Sequence, residues 1–90
     1  MIRAILTVIG KDRVGIIAGV SVELARLNIN ILDVSQTIMN DYFTMMMMCD
    51  IAQAKESINT IQEKMNVKGD ELGVKIMIQR EDIFTAMHKL

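Results

Sequence analysis

The chain has no tryptophan, two phenylalanines, one tyrosine, one cysteine and one histidine among its 90 residues, and each shortage closes off a class of function. So few aromatic rings cannot build the stacking platform that holds single-stranded nucleic acid or splayed RNA bases. Cys49 has no partner for an internal disulfide, and its place in an apolar strand reads as a buried, inert thiol in a reducing cytosol. His88 has no second histidine or paired cysteine to complete a zinc set, so it reads as a surface residue and no metal site is expected. A large excess of one charge is also missing. Ten basic and eleven acidic side chains leave a formal net charge of −1, which draws the chain neither to nucleic acid nor to an anionic membrane. No apolar run nears the length of a bilayer span, and the N-terminus enters a strand without a leader pattern. These readings place the chain in the cytoplasm.

What is present is hydrophobic pattern, with 51% apolar residues in a chain of one domain's length. So small a core is thin, and association with a second copy would stabilise it. Ile2, Ala4, Leu6 and Val8 alternate as a strand face, and Ile17, Val20, Leu24 and Leu27 recur at helical spacing opposite Glu23 and Arg26. A second strand reads Asn30 to Met39, with Leu32, Val34 and Ile38 on one face and Ile31, Asp33, Ser35 and Thr37 on the other. Asn40-Asp41 supplies a hairpin turn, and a third strand follows from Tyr42 to Ile51. Met45 to Met48 give it flexible thioethers on both faces. Ala54, Ile58, Ile61 and Met65 start a second helix near Gln53 that reaches Leu72. Gly69 within it costs about 1 kcal/mol relative to alanine, so an interruption near Val67 is the alternative. Gly73 is the helix stop, and Val74, Ile76 and Ile78 form a fourth strand.

The order is βαββαβ. Right-handed crossovers place both helices on one face of a four-stranded antiparallel sheet, a ferredoxin-like α+β fold. The opposite face carries Ile5, Thr7, Ile9, Ile31, Met77, Met46 and Met48, which is too apolar to leave wholly in water. Burial against another copy is expected, either by this face or edge to edge. After this domain of residues 1–80, residues 81–90 form a helical extension. Asp82 caps it, and Ile83, Phe84, Met87 and Leu90 share one side, with Phe84 as the docking anchor.

Chemistry concentrates where the first strand gives way to the first helix, at Gly10-Lys11-Asp12-Arg13-Val14-Gly15. The first helical N–H groups lack intrahelical partners and suit a carboxylate or phosphate. Glycine at both ends permits positive φ and close approach of a ligand to the backbone. Asp12 can accept from an ammonium group, or it can cap the helix by accepting from N–H groups near Val14 or Gly15.

The segment Gly10-Lys11-Asp12-Arg13-Val14-Gly15-Ile16 resembles the first-loop motif of the ACT domain family, small regulatory domains that sense amino acids. Leu27-Asn28-Ile29-Asn30-Ile31-Leu32-Asp33 resembles that family's passage from first helix to second strand, and the element order agrees to about residue 80. The resemblance implies a stand-alone regulatory domain that binds a small metabolite, an amino acid above all, at a site assembled by a homodimer. Carried over by position, Asp12, Val14, Gly15 and Ile16 would act with Asn30, Ile31 and Leu32 of the same or a neighbouring subunit. Val14 departs from the family, since many members have proline there, and the turn is less rigid for it. The alternative is a dimeric protein-interaction module with no metabolite. Either way the output passes to a protein partner that the sequence does not identify. No cysteine–histidine, serine–histidine or paired-carboxylate set can be assembled, so neither catalysis nor a cofactor is expected.

Overall fold

The computed structural model describes residues 1–87, and the expectations for His88 and Leu90 lie outside them. The elements run β1 Arg3–Lys11, α1 Ile16–Arg26, β2 Asn30–Met39, β3 Tyr42–Asp50, α2 Ile58–Leu72, β4 Val74–Arg80 and α3 Glu81–Met87. All strand pairs are antiparallel, in the order β2-β3-β1-β4. This is the ferredoxin-like arrangement that the pattern predicts, with a short C-terminal helix added.

Period-two alternation builds the core. Ala4, Leu6 and Val8 of β1, Met45, Met47 and Cys49 of β3, and Ile76 and Ile78 of β4 all turn to one face. Val20 and Leu24 of α1 and Ile61 and Met65 of α2 close over them in a single cluster. Truncating one such leucine or isoleucine to alanine removes about 2–5 kcal/mol. Burial pushes the Cys49 thiol up to about 11, so it stays protonated and unreactive near neutral pH. No described helix is long and apolar enough to cross a membrane.

Five local expectations are corrected. Ile16, not Ile17, is the first core residue of α1: Ile16 is 3% exposed and Ile17 43%. Gly10 lies inside β1 without positive φ, and its lack of a side chain admits Val74, whose Cγ1 would stand 2.7 Å from a Cβ there. α2 starts at Ile58, where the Ser57 hydroxyl accepts from the Thr60 N–H at 3.3 Å. Ala54 still packs on the core, but from a turn closed by the Ala54 N–H on the Ile51 carbonyl. The helix then runs unbroken through Gly69. A Cβ there would meet the Val74 carbonyl oxygen at 2.7 Å, so the cost of glycine is offset by the close seat of α2 on β4. Gly73 ends α2 at φ 73° as expected.

The fourth correction concerns β2. Its pairing with β3 steps from Ile31 opposite Cys49 to Asp33 opposite Met48, leaving Leu32 as an extra residue in a bulge. The bulge exchanges faces: Ile31 packs against the core instead of joining the open face, and Val34 follows on the helix side. β2 is an edge strand with no buried residue, so neither of its faces is core in the sense the alternation suggests.

α3 begins at Glu81, so Asp82 sits in its first turn and not at its cap. Its carboxylate accepts from the Ile83 N–H at 3.0 Å and from Arg80 at 2.9 Å, and the Arg80 contact chiefly holds it below its usual range. The helix docks on its own domain, against β1 and β4 on the face that α1 and α2 leave open.

Candidate functional site

The turn from β1 to α1 is fastened on two sides. The Asp12 N–H donates to the Asp41 carbonyl of the hairpin turn at 2.9 Å, and Arg13 Nη1 donates to the Leu72 carbonyl at 3.3 Å. That carbonyl ends α2, where a cation is favoured by the helix dipole. Val14 is left fully exposed. Gly15 then turns to φ 93° and caps α1 through its backbone.

Among the described residues, no side chain answers the first-turn amides of α1. No side chain caps them and no acidic residue lies in the first turn, so the Asp12 cap weighed from the sequence does not form. An atom at the Cβ position of Gly15 would have no neighbour within 4 Å. The amides that follow carry the partial positive charge of the helix start. Asp12 is exposed beside them, while the Ile16 side chain is committed to the core and offers this turn only its backbone.

Asn30, Ile31 and Leu32 lie elsewhere. Asn30 pairs with Asp50, as does Arg3 at the start of β1, whereas Lys11 at its end pairs with Tyr42. The 9 residues of β1 rise about 3.4 Å each, which separates the two groups by roughly 27 Å. Within one chain they cannot meet around one small molecule. A site that uses both requires a second copy.

At its own end, Asn30 lines a hollow of about 340 Å³ with Ala25, Asn28, Asp50 and Gln53. Asn28, at φ 60°, donates through Nδ2 to the Gln53 carbonyl at 2.8 Å. Asp50 Oδ1 accepts from the Ala52 N–H at 3.0 Å and the Ile2 N–H at 3.2 Å, and the first of these chiefly holds its carboxyl below the usual range. Sequence reading missed Asp50, Asn28, Gln53 and Arg13. The left-handed tolerance of asparagine was the available signal for Asn28; the Arg13 contact spans 59 positions and left none.

The sequence matches the ACT domain family over residues 3–79. The chain belongs to that family. A UPF0237 protein of Listeria innocua is 67% identical over 88 residues, covering 98% of this chain and 99% of that relative. The solved ACT domain protein from Streptococcus pneumoniae shares 43% identity at a TM-score of 0.82, over 92% of this chain and 93% of that one. A formyltetrahydrofolate deformylase from Pseudomonas syringae matches at 26% identity and a TM-score of 0.81, over 89% of this chain and 28% of the deformylase. The ACT domain is a regulatory domain.

Proposed function

We propose that this ACT domain is a cytoplasmic regulatory module that binds an amino acid at a site shared by two copies and passes the signal to a protein partner. The observation that carries the reading is the unobstructed, uncapped start of α1 at Gly15. Amides after Gly15 would hold the carboxylate, and Asp12 or Asn30 of a second copy would receive the ammonium group.

The separation of the two residue groups supports one mode of pairing. β2 runs parallel to β1 in the sheet, since each is antiparallel to β3. Two copies joined antiparallel along their β2 edges therefore bring Asn30, Ile31 and Leu32 of one copy to the end where Asp12, Val14, Gly15 and Ile16 of the other lie. The ten-residue β2 edge, exposed along its length, supports such pairing, because its outer backbone groups have no strand partner among the described residues.

The test is the melting temperature against a panel of natural amino acids. A ligand at about 100 times its dissociation constant stabilises a one-site native state by about 2.7 kcal/mol, several degrees in a domain of this size. A shift for one amino acid, lost in Asn30→Ala, is the expected result. A flat panel at millimolar concentrations overturns the sensor and leaves the dimeric interaction module.

A further inference from the structure

We propose that the groove between α3 and the open sheet face is a second binding site, for an uncharged, largely apolar small molecule. The groove holds about 490 Å³, within the usual range of small-molecule sites. Its floor is Ile5 and Thr7, its sides Met46 and Met77, and its roof Phe84 and Met87 of α3. The register explains the convergence. Met46 and Met77 are both paired with Thr7, one on each neighbouring strand, so two long thioethers flank one short side chain.

The chemistry of the lining selects the occupant. None of its residues is ionisable, and the polar groups are the Thr7 hydroxyl and the Gln79 carboxamide. A zwitterion would shed water here with no charge to replace it, at a cost of several kcal/mol. A neutral ring or chain with one hydrogen-bonding group fits, and thioethers at its edge favour an aromatic ring. The ligand class thus differs from the amino acid assigned to the first loop.

A second copy fits less well. Stacked sheets pack about 10 Å apart, and a helix with its side chains is about 10–12 Å thick. α3, lying over β1 and β4, therefore holds a second sheet off that half of the face. The β2 side of the same face presents Asp33, Ser35 and Thr37, which give an apolar partner little. The roof can also yield. No residue of α3 is fully buried, and the ion pairs from Arg80 to Asp82 and from Arg3 to Glu81 are exposed and of the kind worth little.

The probe is N-phenyl-1-naphthylamine, uncharged and fluorescent in apolar surroundings, titrated into the full chain while sedimentation follows its size. Saturable binding at one probe per chain is expected, with the size unchanged. Met77→Glu and Met87→Glu should each weaken it at least tenfold while Val67→Ala, on the exposed side of α2, does not. Met77 and Met87 are 45% and 58% exposed, so both variants should keep the fold, checked by circular dichroism. Binding that fails to saturate, or that both glutamates leave unmoved, overturns the site. Binding at one probe per two chains, lost together with a dimer in Met77→Glu, also overturns it and makes the face an interface between copies. Displacement of the probe by an amino acid that raises the melting temperature would show one site where two are assigned, and overturns the proposal as well.

Discussion

Gly15 and Gly73 stand at the same end of the sheet, each at a helix terminus and each at positive φ, 93° and 73°. Their surroundings differ. At Gly73 the chain closes on itself: the Gly73 amide donates to the Asp70 carbonyl at 3.3 Å, and the Arg13 guanidinium fills the space a side chain would take. At Gly15 the same region of backbone space is used and left vacant. One glycine stops a helix; the other keeps the start of a helix accessible. Identical conformational need can therefore serve stability in one place and access in another, and only the neighbours tell which. Arg13 links the two, since it leaves the loop of Gly15 to reach the turn of Gly73.

The comparison can be broken by placing valine at both positions. Gly73→Val should cost the most, about 2 kcal/mol or more, because a branched residue is forced to positive φ and Arg13 must move. Gly15→Val should cost about 1–2 kcal/mol from φ alone and should abolish amino-acid binding. Equal losses in urea unfolding would show that crowding by Arg13 contributes nothing. Arg13→Ala, which removes one exposed hydrogen bond, should cost about 0.5–1 kcal/mol, and in a double-mutant cycle it should recover the excess of Gly73→Val over Gly15→Val. A fully additive cycle would contradict the contact. Val14→Ala should lie within about 0.5 kcal/mol of the parent; a larger loss would mean that Val14 is packed and not exposed.

Much of the fold was legible because its strands alternate cleanly and its turns use residues that tolerate unusual φ. Asn40 takes φ 58° in the hairpin and Gly73 stops α2 where the pattern ends. The misreadings have local causes. Ile16 and Ile17 are both apolar, so periodicity alone could not set the phase of α1. Ala54 is spaced as a helical residue yet packs from a turn, and Ser57 was the better marker of the start of α2. In the candidate site the loop residues were readable as a motif. Their distance from Asn30 was not, because it follows from strand direction and sheet order, which are known only with the register.

The bulge in β2 has a consequence for tolerated changes of chain length. Deleting one residue from a strand ordinarily inverts every side chain beyond the cut. Here Leu32 is already the surplus residue, with Ile31 and Asp33 paired to the consecutive Cys49 and Met48. Excising Leu32 should regularise the ladder and leave Val34 on the helix side, so the chain shortened by that residue should fold with its core intact. A deletion of Val34 instead would use up the same surplus with Leu32 opposite Met48 and Asp33 opposite Met47 on the helix side, turning a carboxylate toward the core, so two neighbouring excisions in one edge strand should part in their effect.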